Sequence, residues 1–344
     1  MGTESENDYM VDTLPPESSL PEATLPEGVQ DEFEPGEESS ERREHVVTMG
    51  QHAQRLDKLL TLVAPEFSRN HLQSLVEGGH VQVDGRVQRS SSSKVKAGQR
   101  VQLELVRPAH ELAFTPQAMD LDVVYEDEHV LVLHKPAGLV VHPAAGNWSG
   151  TLLNGLLARD PAAARLPRAG IVHRLDKDTS GLMVVGRSLE AVTALVRDIA
   201  ARVVSRQYLA IVQGVPVDPQ QTIDAPIGRD PKVRVRMAVV PSGKPARTDV
   251  ETLAGSDGLA AVRCTLHTGR THQIRVHLAH RGHALVADAV YGGRPALGLQ
   301  RQALHAVRLA FTHPVTGEAL DFTAEPPADF AQAWAQVAPG VPAR

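Results

Sequence analysis

The sequence predicts an α+β protein, and three observations carry that reading. Apolar residues recur at helical spacing in some stretches and alternate in others. The alternating stretches come in hairpin-like groups with helices interspersed, not in the regular strand-helix alternation of a doubly wound sheet. Composition also shifts twice along the 344 residues, which predicts an acidic tail (1–45), a small domain (52–106), a linker (107–117) and a larger domain (118–335). A chain of this length can bury a sizeable core.

Residues 1–45 are rich in Glu, Pro and Ser, with scattered apolar residues that cannot offset the entropy of ordering them, so this tail is expected to be disordered. Leu56, Leu59, Leu60 and Val63 then fall at helical spacing, and Ser68 caps a second helix carrying Leu72, Leu75 and Val76 that stops at Gly78-Gly79. Val81–Val87 reads as a strand pair about Asp84-Gly85, and Val101, Leu103 and Leu105 alternate in a further strand. The linker holds Pro108 and Pro116.

In the larger domain, Leu121–Tyr125 and Val130–His134 read as strands about Glu126-Asp127-Glu128, and Gly150–Arg159 carries leucines at helical spacing. Gly181–Gly186 is a strand, Ser188 caps a helix through Ala201, and Arg206–Gln213 alternates as a strand. Strand Ala260–His267 leads into a helix over Gln273–Arg281, closed by Gly282.

The net charge of −6 conceals a division. Residues 1–45 hold 14 acidic side chains against Arg42 and Arg43, a charge of −12, whereas the remainder holds 33 basic against 27 acidic, or +6. The globular part is basic, as a nucleic-acid partner would require. Cys264 is the only cysteine, which excludes an intrachain disulfide and a cysteine-based zinc site, and its apolar neighbours predict a small strand residue. His267, His272, His277, His280 and His283 have spacings that do not put three ligands on one helix face, so no metal is expected. There is no Walker loop, dinucleotide-binding glycine motif or Gly-x-Ser-x-Gly elbow. No stretch is apolar enough to span a bilayer and the N-terminus lacks signal-peptide order, so a cytoplasmic protein without membrane contact, and a monomer, is expected.

The stretch Ala169-Gly170-Ile171-Val172-His173-Arg174-Leu175-Asp176-Lys177-Asp178-Thr179-Ser180-Gly181 sets charged residues in a loop between two apolar strand segments. Its His-Arg-Leu-Asp resembles the catalytic motif of the RluA family of RNA pseudouridine synthases. The resemblance continues through Lys135–Pro143, Arg206–Ala210, Thr268–His277 and Gln302–Ala306, and covers about residues 50 to 335. The small domain resembles the S4 RNA-binding domain. These resemblances imply a catalytic domain with a mixed, mainly antiparallel sheet and flanking helices about a cleft.

They also imply residue roles. Asp176 would be the catalytic carboxylate, either trapping the ribose C1′ or taking a ribose proton, with Asp178 as its rival. Arg174 would fill the place of an extruded uridine or contact phosphate. Tyr208 would pack against the flipped base and help remove the C5 proton, Arg275 would pair with Asp176, and Arg270 would meet phosphate. In the S4 domain Arg55, Arg69, Lys94 and Lys96 would face RNA. Val140–Asn147, Pro167–Gly170 and Tyr291–Pro295 are similar to the family branch that acts on large-subunit ribosomal RNA, implying 23S rRNA and its stem-loop helix 69 as the target. No cofactor is implied. A non-catalytic RNA-binding assembly factor, a pseudouridine synthase acting on another RNA and a carboxylate glycosidase are the alternatives; the last needs a second acid at a suitable separation.

Overall fold

Two units emerge in the computed structural model, residues 1–106 and 107–344. It describes residues 41–105, 109–144, 147–233 and 236–344. Residues 1–40, most of the expected disordered tail, lie outside the described residues.

The first unit packs two helices on a four-stranded sheet. Strands β1 (Glu41–Val46), β2 (Val81–Val83), β3 (Arg86–Val87) and β4 (Arg100–Leu105) lie in the order β1-β4-β2-β3. Helices α1 (Leu56–Val63) and α2 (Arg69–Gly78) bury the leucines expected of them, with Ser68 Oγ accepting from the His71 N–H at the start of α2 and left-handed Gly79 at its end. Asp84 and Gly85 both take positive φ (53° and 74°), which a two-residue hairpin turn requires.

Strand β1 corrects the expected end of the tail. Its run Glu-Arg-Arg-Glu-His-Val buries almost nothing, so no apolar period betrays it. As an edge strand it is held by the backbone ladder to β4 and by the cross-strand contacts of Arg42 with Glu104 (3.5 Å) and Glu44 with Gln102 (2.5 Å).

The second unit is built on a nine-stranded sheet. Its path is β5 (Asp122–Glu126), β6 (Val130–Lys135), β7 (Ser180–Gly186), β14 (Leu304–Thr312), β8 (Ser205–Gln213), β13 (Leu259–Leu266), β12 (Arg247–Ser256) and β9 (Gln220–Asp224), with β15 (Ala319–Thr323) paired to β14. A short hairpin, β10 (Ile227–Arg229) with β11 (Met237–Val239), stands apart. Among the described strands only β7 and β14 run parallel, at Ser180–Gly181 against His305–Ala306. Helices α3 (Leu152–Arg159), α4 (Leu189–Ala200), α5 (Gln273–His280) and α6 (Ala328–Val337) flank the sheet. The architecture is α+β and mainly antiparallel.

The sheet is buried on both faces, as β8 makes plain. Tyr208, Ala210 and Val212 enter the core shared with α3 and α5, whereas Leu209 and Ile211 enter one shared with Phe330 and Trp334 of α6. Cys264 is fully buried in the first of these cores, and burial pushes its thiol up to about 12.

Two expected boundaries move. The Asn154 side-chain amide donates to the carbonyls of Leu112, Ala113 and Thr115, so the second half of the expected linker is fastened to α3. Helix α6 continues past residue 335 to Val337, and Trp334 Nε1 donates to the Val341 carbonyl 2.9 Å away.

Candidate active site

The loop Val172–Thr179 is pinned at both ends by glycines in backbone conformations that exclude side chains. Gly170 has φ 82°, and a Cβ there would sit 1.9 Å from the Gly186 carbonyl oxygen; Gly181 has φ 121°, and its Cβ would meet the Ala306 oxygen at 2.2 Å. Between them the loop is held by polar contacts. The Val184 N–H donates to His173 Nε2 (3.0 Å), Arg301 Nη1 donates to the Asp178 carbonyl (3.0 Å), and the Asp176 carbonyl accepts from the Thr179 N–H (3.1 Å). His305 Nε2 donates to the Ala324 carbonyl (3.1 Å), so its Nδ1 accepts from Ser180 Oγ (3.0 Å) and fixes the loop's exit.

Lys135 anchors the loop from beneath. Its fully buried Nζ donates to the carbonyls of Pro136, Leu139 and Lys177 at 2.7–2.9 Å. Burial pushes its pKa down to about 7, against the pull of Asp178 and Asp176; an ammonium supplies the three protons that three carbonyls need.

This scaffold carries Asp176 to the wall of a cleft of about 470 Å³, whose lining includes Arg174, Tyr208, Arg270, His272 and Arg275. The structure therefore gathers five of the expected site residues, Asp176, Tyr208, Arg174, Arg270 and Arg275, around one cavity. Asp178 is not part of that lining. Its role in bracing the loop runs through its main-chain carbonyl rather than its carboxylate.

Asp176 Oδ2 accepts from Arg275 Nη1 at 3.0 Å, the Asp176 side chain being 16% exposed and that of Arg275 6%. The two-pronged contact of Arg275 is made with another acid. Arg275 Nε and Nη2 both donate to Asp288, at 2.7 and 2.9 Å, and the Asp288 side chain is fully buried. Burial works to lower the Arg275 pKa, but its hydrogen bonds to Asp288 and the charge of Asp176 more than offset this and hold the guanidinium above its ordinary value. One cation thus serves two carboxylates, and Asp176 Oδ1 faces the cleft with His272 Nε2 3.8 Å away.

His272 caps α5 in the left-handed conformation (φ 57°), a strained setting for a residue with a Cβ. Its Nδ1 lies 2.8 Å from the Tyr291 hydroxyl, which accepts from the Met237 N–H (3.1 Å) and so turns its own proton toward the ring. That leaves the imidazole proton on Nε2, facing Asp176. Burial lowers the His272 pKa, keeping the ring neutral near pH 7, and the Tyr291 ring lies 5.0 Å beneath the Arg275 guanidinium carbon.

Tyr208 is 5% exposed, and burial raises its phenol above the ordinary value. Its ring is part of the cleft lining. Arg174 and Arg270 are exposed, with Arg270 Nε donating to the Pro245 carbonyl at 3.2 Å. Of the histidines nearby, His277 bonds Thr248 and the Ala225 carbonyl, and His283, beyond the end of α5, bonds the Gln213 carbonyl.

The S4-like unit treats its expected contacts unequally. Arg55, Arg69 and Gln73 all donate to the buried carboxylate of Asp57 at 2.8–3.1 Å, and Arg55 foremost holds that acid well below the ordinary carboxylate range. The two guanidinium side chains are still 47% and 53% exposed. Lys94 and Lys96 are exposed, and neither ammonium bonds a described residue.

Residues 129–280 match the family described as RNA pseudouridylate synthase, and residues 54–101 match the S4 domain. Over 290 residues the chain is 50% identical to the ribosomal large subunit pseudouridine synthase D of Neisseria meningitidis serogroup B, covering 80% of this chain and 76% of that one. The protein of that name from Xanthomonas campestris is 47% identical over 303 residues (84% and 91% of the two chains), and that from Pseudomonas aeruginosa 49% over 290 (80% and 90%).

Proposed function

Since this chain belongs to the RNA pseudouridine synthase family, with an S4 domain ahead of the catalytic domain, we propose that it isomerises uridine to pseudouridine in large-subunit ribosomal RNA, at helix 69, with Asp176 as the catalytic carboxylate. The reaction breaks the N1–C1′ bond and forms C5–C1′, with a proton lost from C5 and one gained at N1, so the product keeps the atoms of the substrate. The observation that carries the reading is the carboxylate of Asp176, held by one Arg275 prong and open to the cleft through its other oxygen.

Each neighbour has a role that its surroundings support. Arg275, itself fixed by Asp288, aims the Asp176 carboxylate at the reacting position. Tyr208 supplies the flat wall for an extruded uracil, and Arg174 lies where it can fill the vacated stack or hold phosphate. The exposed cations of the S4 unit bind phosphate and position the substrate without entering the chemistry. No step needs a cofactor. The cleft is lined entirely from residues 142–304, so a monomer suffices, and no helix among the described residues is long and apolar enough to cross a membrane. Action in the cytoplasm follows from the substrate.

Asp176→Asn is expected to abolish turnover while leaving RNA affinity equal to or above that of the wild type, since affinity resides in phosphate and shape contacts and the change removes a negative charge. Pseudouridine formation and RNA binding measured on one rRNA fragment test this. An active Asp176→Asn protein would overturn the assignment; an inert wild type on every rRNA fragment would favour a binding factor, and free uracil among the products a glycosidase.

A further inference from the structure

Arg206 is the exception among the buried cations of the catalytic unit. It precedes Tyr208 by two residues on β8, so both side chains leave the same face of the strand and both line the cleft. Arg206 is only 4% exposed, yet its Nε and Nη2 are buried without a hydrogen-bond partner, and it forms no ion pair among the described residues. Arg275 is as deeply buried but has both edges of its guanidinium on carboxylates. Gly269 lies over Arg206: a Cβ there would be 3.0 Å from Nη1.

A guanidinium withdrawn from water with two donors unmade is costly, and the cost is recovered only when an acceptor arrives. We propose that Arg206 is a substrate-anchoring residue whose acceptor is a backbone phosphate flanking the extruded uridine; the inference rests on the pseudouridine synthase reading. Two features of the chemistry select phosphate. The formal negative charges of RNA reside on its phosphodiesters, and a neutral uracil carbonyl would leave the charge of the cation unbalanced. The free Nε and Nη2 form one edge of the fork, which matches a pair of non-bridging phosphate oxygens. A nucleotide turned out of its stack draws its own two phosphates toward the cleft with it. Engagement needs the guanidinium to turn into the cavity it already lines.

The test uses the full-length protein and an rRNA fragment on which it makes pseudouridine, with each phosphate flanking the target uridine replaced in turn by an uncharged methylphosphonate. With unmodified RNA, Arg206→Gln is expected to lower kcat/KM about tenfold or more, chiefly through KM, with Arg206→Lys intermediate. One of the two methylphosphonates should cost the wild type a similar factor and cost Arg206→Gln almost nothing further. Equal losses in wild type and variant at both positions, or a wild type indifferent to both replacements, would overturn the proposal. Should Arg206→Gln fail to fold, Arg206→Lys carries the same comparison, since it keeps the charge and loses the fork: a blunted response to one methylphosphonate supports the anchor, and full additivity overturns it. A wild type that makes no pseudouridine in any rRNA fragment overturns the functional reading itself, and the anchor with it.

Discussion

Asp288 has no direct contact with the cleft, yet it decides how Arg275 meets Asp176. It takes two of the donors of the guanidinium and accepts from the Val290 and Tyr291 N–H groups, so its position is fixed by a turn as well as by the cation. Asp288→Asn keeps the shape and removes the charge. Arg275 would then be drawn toward Asp176 alone, with its fork no longer matched, and turnover should fall about 100-fold, as small displacements of reacting groups do. RNA affinity should stay near that of the wild type, so the loss should fall on kcat and not on KM. Full turnover in the variant would mean that Asp288 is only a packing partner. The pair of Asp176 and Arg275 was legible in the sequence through its resemblance to a known motif. Asp288 was not, although a lone acid between alanines and valines (Val286-Ala287-Asp288-Ala289-Val290) signals a buried carboxylate in need of a cation.

At the scale of elements, most of the helices and strands followed from period and caps. Strands β9, β12, β14 and β15 and helix α6 were not read from the sequence, and neither were β1, β10 and β11, whose order comes from neighbours. Strand β1 has no apolar face, and the three-residue strands of the β10–β11 hairpin are too short for alternation to register. In the S4-like unit, residue type alone could not separate structural from available cations. Arg69 helps neutralise buried Asp57, so Arg69→Ala would loosen the fold as well as any RNA contact. Lys94 and Lys96 carry no such duty. The double change of Lys94 and Lys96 to Ala should leave the thermal unfolding midpoint unchanged, weaken RNA binding a few-fold, and flatten its dependence on salt by roughly one to two phosphate contacts. Single-turnover rate at saturating RNA should be unaffected. A drop in that rate, or an unchanged salt slope, would show that this face does not dock the substrate through phosphates.

For the molecule as a whole, acidity is the revealing variable. His142, His173 and His305 are pushed by burial from the ordinary 6.5 down to about 4, 3 and 4. His173 and His305 each use one ring nitrogen to accept a hydrogen bond, which protonation would forbid. Because the folded pKa lies below the unfolded one, their stability contribution is complete above pH 6.5. It is lost as pH falls from there toward 4, where the unfolded chain takes up protons that the folded chain refuses, at about 1.4 kcal/mol per pH unit for each proton. These three rings add no slope between pH 7 and 8, and denaturant midpoints should fall steadily as pH drops below 6.5. His173→Gln should remove one proton's share of the slope; a slope unchanged in that variant would exclude the ring as a contributor.

The parallel pairing of β7 with β14 has a consequence for timing. Ser180, four residues beyond Asp176, bonds His305 across 125 positions of chain, and Arg275 lies 99 positions from Asp176. Contacts so distant in sequence close late. On a ribosome still making this protein, the loop would remain unshaped until the last quarter of the chain had emerged, and a half-finished copy could hold RNA through its S4-like unit without altering it.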